Sequence, residues 1–165
     1  MSLGSEFAQF IAATATAVGT VTNVGNVLTR FRPVRDWNAV VEELQVTISG
    51  TNYVRTWFVV PGVPVITSET DAIEGQVFDR FRLNLIGLQG AQDDATGFVD
   101  ALSRAGAVKA ALDALWDYGA GGPVPFIVEP AEIVRHEFRY FGKIGVWWTD
   151  INHTIRVHRD YDIIR

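Results

Sequence analysis

The stretch Ile133–Arg159, IVRHEFRYFGKIGVWWTDINHTIRVHR, decides the fold. Its last part alternates: Trp147, Thr149, Ile151, His153, Ile155 and Val157 share one side, and Trp148, Asp150, Asn152, Thr154, Arg156 and His158 share the other. Strand side chains point alternately to two faces, so this pattern predicts a strand with one covered and one wet face, as in an antiparallel sheet. Gly142-Lys143 separates two strand-like runs, Ile133–Phe141 and Ile144–Arg159, and predicts a two-residue hairpin turn.

Working outward, Gln76–Leu88 predicts a long strand with Phe81, Leu83 and Leu85 on one face and Arg80, Arg82 and Asn84 on the other. A helix is expected from Ala91-Gln92-Asp93-Asp94 to about Trp116 or Tyr118, its acids suiting the positive end of the dipole. Its inner stripe is read as Phe98, Leu102, Val108, Leu112 and Leu115, with Gly106 a candidate interruption and Gly119-Ala120-Gly121-Gly122-Pro123 a stop. Pro125–Val128 reads as a short edge strand.

Nearer the N-terminus, Ser5-Glu6 opens a helix carrying Phe7, Phe10, Ile11, Ala15 and Val18, closed by Gly19. Thr20–Val24 reads as a short strand and Val27–Arg32 as extended chain. Asp36 is placed to cap a helix over Trp37–Leu44. Gln45–Ile48 and Tyr53–Val60 read as strands joined by Ser49-Gly50-Thr51-Asn52. Pro61, Gly62 and Pro64 are expected to break pairing, leaving 61–75 as a loop or extended arm. The fold class is therefore α+β: an antiparallel (mixed) β-sheet packed against one long helix plus an N-terminal helix, the helices on one face. A single domain is expected over 1–165, with a Pro-rich arm or loop around 60–75 and a short C-terminal tail, 160–165.

The composition agrees. Of 165 residues, 48% are hydrophobic and 20% charged, a balance that excludes intrinsic disorder. Fourteen basic residues against nineteen acidic give a net charge of −5, which argues against a general DNA coat. With no cysteine there is no disulfide framework and no thiol nucleophile. No run is long and apolar enough for a membrane span, and the first residues lack the basic region of a secretory leader. Lys109 and Lys143 are the only lysines beside twelve arginines, a preference shared by a GC-rich genome and by protein interfaces.

Chemistry-bearing constellations are sparse. His153 and His158 differ by an odd number and face opposite ways, and Arg135-His136-Glu137-Phe138 is not a His-Glu-x-x-His motif, so no metal ligand is assigned. The glycines after the long helix lack the Gly-Lys-Ser/Thr of a phosphate loop. No serine has a nucleophile-elbow context, no acid pair has a spacing that forces convergence, and no catalytic residue or cofactor is expected. Arg80, Arg82, Arg156 and His158 share a polar sheet face that resembles a single-strand platform, but an ion-paired wet face with Asp79 and Asp150 nearby fits the acidic balance better. No sequence-specific nucleic-acid binding is expected.

Apolar excess stands in three odd places: Phe58–Ile66, the pair Trp147-Trp148, and the tail Tyr161, Ile163 and Ile164. Together they point to partner surfaces. Val59, Val60, Val63, Val65, Ile66, Tyr161, Ile163 and Ile164 are the candidate subunit contacts, and Arg55 and Trp57 belong either to the same surface or to the core.

The order of motifs resembles the tail terminator and tail-completion (neck) proteins of long-tailed bacteriophages. The pieces are Val18-Gly19-Thr20-Val21, Asp36-Trp37-Asn38-Ala39, Val54-Arg55-Thr56-Trp57, Phe78-Asp79-Arg80-Phe81-Arg82-Leu83 running to Gly87-Leu88, Asp93-Asp94-Ala95, and the hairpin at Gly142-Lys143. The likeness spans about residues 5–159; the proline-rich 58–75 segment and residues 160–165 depart from it. It implies a virion structural protein without catalytic residues, assembled in the host cytoplasm and located in the tail or neck. The protein would form a ring, usually a hexamer, that caps the tail tube and meets a head-side connector or stopper protein. A second expectation is a ligand-binding or enzymatic cone domain resembling the nuclear-transport-factor-like fold, its pocket lined by Tyr53, Trp57, Trp147 and His153 with His153 as base. A third is another connector subunit of the same neck.

Overall fold

The computed structural model describes residues 3–30, 37–70, 77–90, 96–115 and 126–159. Alternation in two long segments builds its centre. β4 (Val77–Gly90) and β7 (Ile144–Arg159) pair antiparallel without a register shift from Val77↔Arg159 to Gly90↔Val146. Phe81, Leu83, Leu85, Ile151, Ile155 and Val157 are all buried on one face of this pair.

β3 (Thr51–Thr70) pairs with the other side of β4. Its own outer side carries β2 (Gln45–Ile48), antiparallel, and then β1 (Asn26–Leu28), parallel. The outer side of β7 carries β6 (Glu132–Phe141) and β5 (Phe126–Val128), both antiparallel. The sheet is therefore mixed, with the β4–β7 ladder in the middle.

Two helices cover one face. α1 (Leu3–Gly19) buries Phe10 and Val18 and stacks Phe7 on Phe81, ring centroids 5.7 Å apart. α3 (Thr96–Asp113) runs unbroken through Gly106 and buries Ala101, Ala105, Val108 and Leu112. Leu115 packs against the core, but Phe98 and Leu102 are about 40% exposed, so the inner stripe is shifted by one residue in the helix's first half. Small alanines let the helix lie close to the sheet, and the larger side chains turn to its flank.

Three expectations are corrected. Thr20–Val24 is no strand: the backbone N–H groups of Thr20, Val21 and Val24 donate to Ala17, Val18 and Val21 carbonyls, winding down the end of α1. The β2–β3 connection is the two-residue turn Ser49-Gly50, with φ of 51° and 79°, as a type I′ hairpin turn requires. Pairing does not end at Pro61. β3 pairs to Pro61↔Leu83, bulges, and resumes at Ile66↔Phe81 as far as Thr70↔Val77. The prolines survive because they lie at a bulge on a strand whose outer side is open there, where a missing N–H breaks no ladder bond.

The helices do not account for all the cover. Leu44, at the end of α2 (Trp37–Leu44), packs on the opposite face with Phe58, Leu88 and Val146. Thr56 donates to the Leu44 carbonyl at 2.9 Å and ties α2 to β3. The second face is thus apolar at this end and polar at the other.

Close approach explains one glycine. A Cβ on Gly87 would meet the Trp57 ring at 2.7 Å, and Trp57 is buried. Gly87→Ala is expected to cost about 1–3 kcal/mol through overpacking. Gly106→Ala, with open space around it on a helix, should add about 0.5–1 kcal/mol. Urea midpoints of the two variants, moving in opposite directions, check this.

Candidate functional site

The sequence-nominated contacts separate into three groups. Val59 is fully buried in the chain's own core, and Val60 is half-buried against the second apolar cluster. Strand alternation sends the two to opposite faces, both covered here; Val59 is corrected from a subunit contact to a core residue, and Val60 packs on the second cluster. Val63 is 88% exposed at the bulge of β3. Val65 and Ile66 lie within β3, in the same open-edged part of the strand. Tyr161, Ile163 and Ile164 lie outside the described residues, as do the Asp93-Asp94 helix start and Gly119–Pro123. Trp57 belongs to the core, whereas Arg55 lies over Tyr53 with its guanidinium carbon 5.1 Å from the ring centre.

Trp147 and Trp148 diverge to opposite faces, as alternation requires. Trp148 packs on the second apolar cluster, donates its indole N–H to Asp150 at 2.6 Å, and lies under Arg139. Trp147 joins an aromatic group with Phe98, His136 and Phe138, centroids 5.1 to 5.9 Å away. This group continues to Phe138 and the 75%-exposed Tyr140 on β6. Sequence inspection missed it because its members come from α3, β6 and β7, and no one segment shows the cluster.

The polar end of the second face is a cleft of about 280 Å³ bordered by Arg80, Arg82, Glu129, Glu132, Asn152 and Thr154. Glu129 ties Arg80 at 2.6 Å and Arg156 at 2.9 Å. The expected wet, ion-paired face is there, but its acid is Glu129. Asp79 is buried on the helix side, and Asp150 pairs instead with Arg135 at 3.6 Å.

His153 does not form the base of a pocket. It is fully buried, its ring centroid 5.1 Å from that of Phe10, and among the described residues neither ring nitrogen has a hydrogen-bond partner. Asp113, the nearby acid, accepts the Ala131 N–H at 2.7 Å and pairs with Lys109. Trp57 and Trp147 border a crevice of only about 10 Å³, and His153 does not line it. His136 keeps a polar contact, Nδ1 to Thr149 Oγ1 at 2.8 Å. Burial holds its pKa below the ordinary histidine value, opposed by a hydrogen bond with the Phe98 backbone.

No helix among the described residues is long and apolar enough to cross a membrane. Comparison with protein-family models and with curated proteins finds no match for this chain.

Burial pushes the His153 pKa down to about 4, with Asp113 opposing. The folded value lies below the unfolded one, near 6.5, so the stabilisation is complete above pH 6.5 and is lost as pH falls towards 4. The full loss is on the order of 3 kcal/mol. His153→Leu should flatten urea midpoints between pH 7 and pH 4, because it removes two unpaired nitrogens without leaving a partner stranded. An unchanged pH slope in the variant would assign the acid sensitivity elsewhere.

Proposed function

We propose that this chain is a virion structural protein of the tail terminator type. It assembles as a ring, a hexamer in the expected form, that caps the tail tube and contacts a head-side connector or stopper. The observation that carries this reading is the outer edge of β3. Beyond Phe58, where β1 stops, β3 runs on to Thr70 with no described strand on its outer side. That edge displays Val63 almost fully exposed beside Pro61 and Gly62. An apolar residue on an open strand edge suits contact with another subunit, and a contact between unlike surfaces closes into a ring when its rotation permits.

Element order supports the same reading: N-terminal helix, short helix, long strand pair, long helix and closing hairpin follow one another as the resemblance implies. A place elsewhere in the neck would use the same surfaces with a different partner. For the cone-domain alternative, the described residues form no convergent polar pocket around His153.

Light scattering and negative-stain microscopy, alone and with the tail tube protein, test the proposal. A closed ring is expected, with about six subunits as the resemblance implies. Val63→Asp should weaken ring formation at least tenfold while leaving the urea midpoint nearly unchanged, since exposed substitutions rarely shift stability. A chain that stays monomeric with and without tube, or a Val63→Asp variant that assembles like wild type, contradicts the proposal.

A further inference from the structure

We propose that the free edge of β6 is a self-association site, at which two copies pair β6 with β6, antiparallel, about a two-fold axis at Phe138. Among the described residues, β6 has a strand on one side only, β7. The hairpin turn fixes which backbone groups are open. Phe141 and Ile144 flank the two-residue turn Gly142-Lys143, and Gly142 has φ of 60°. The pair flanking such a turn exchanges hydrogen bonds, and the pattern alternates from there. Residues 135, 137, 139 and 141 therefore direct their backbone groups at β7. His136, Phe138 and Tyr140 direct theirs away from the sheet.

Those three residues also carry the aromatic row on the α3 side. Phe138 is 45% exposed and Tyr140 75%, and Phe98 and Val134 are exposed beside them. A large apolar cluster on an open edge is a template for strand addition. Elsewhere this sheet leaves a bulge and prolines on its open edge, whereas β6 beyond residue 134 has neither.

Charge selects a second β6 as the occupant and fixes its register. The bulge between Ile133 and Arg135 limits the regular ladder to residues 135–141. Centring the two-fold on Phe138 uses all seven. It places Glu137 opposite the partner's Arg139, twice, and His136 opposite the partner's Tyr140, twice. Opposite charges and aromatic pairs facing each other across a ladder are favourable. Within one chain Glu137 already attracts Arg139 and Arg135, so the partner's arginine extends an existing network. The outward backbone groups of residues 136, 138 and 140 then close six new hydrogen bonds. β6 and the open edge of β3 lie on opposite sides of the sheet, so this contact is separate from the ring contact.

The chain has no cysteine, so Phe138→Cys introduces a single thiol. Its two copies would sit on the axis, with Cα atoms about 5.5 Å apart, within disulfide reach. Under mild oxidation, Phe138→Cys is expected to form a covalent dimer at least tenfold faster than Ala12→Cys, at an exposed position of α1 that belongs to neither contact and so reports random collision. Equal or slower cross-linking overturns the proposal, including when the protein assembles through another surface, an outcome that leaves the ring reading standing. Tyr140→Lys is the second variant, with circular dichroism to verify its fold. Sedimentation equilibrium of wild type up to about 200 µM should show a step that doubles the mass of the species present, monomer to dimer or ring to paired rings, at least tenfold weaker in Tyr140→Lys, since a strand-sized contact lies at the small end of specific interfaces. A wild type without that step, or a step that Tyr140→Lys leaves unchanged, overturns the proposal.

Discussion

The antiparallel ladder between β4 and β7 is the constraint on which the rest of the structure depends. It runs unshifted through fourteen residues of β4, so every side chain on either strand has its face assigned by parity alone. A slip of β4 by one residue would drive Arg80 and Arg82 under the helices and expose Phe81 and Leu83. Each of those apolar side chains is worth roughly 1.5–3 kcal/mol when buried, and each stranded charge costs more, so only one register is tolerable.

From that ladder the molecule acquires two unlike faces and two unlike edges. α1 and α3 cover the face that carries His153. Its burial without partners is the consequence of an odd-numbered position among apolar neighbours, and it makes the core acid-sensitive. The opposite face is divided: α2 closes an apolar end through Leu44, and Glu129 bridges two arginines at the polar end. The edges differ in kind. The β3 edge is interrupted by a bulge and prolines around Val63, and the β6 edge is regular, aromatic on one side and charged on the other.

Much of the architecture was legible because strand alternation is a local property. The inward and outward sets on β4 and β7, the Gly142-Lys143 turn and the core positions of α1 follow directly from period. What was hidden depends on the third dimension. α3 has apolar residues on two adjoining sides, and hydrophobicity favours Phe98 and Leu102, whereas close approach to the sheet selects Ala101 and Ala105. The prolines at 61 and 64 correctly flag an interruption, but nothing local shows that an edge strand can absorb it and resume. Val59 and Val63 belong to one apolar run, and only the register of β3 shows that the first is core and the second surface. The aromatic group around Trp147 is assembled from three elements and leaves no trace in any one of them.

The central claim is a rigid β4–β7 spine with an edge strand whose open backbone groups alternate with bonded ones. Amide hydrogen exchange resolved along β6, at low and at high protein concentration, tests it most directly. The account predicts that the Glu137 and Arg139 amides stay protected throughout, while those of His136, Phe138 and Tyr140 exchange fast when dilute and slow down as concentration rises. Uniform exchange along β6, or rates for those three amides that ignore concentration, would contradict it.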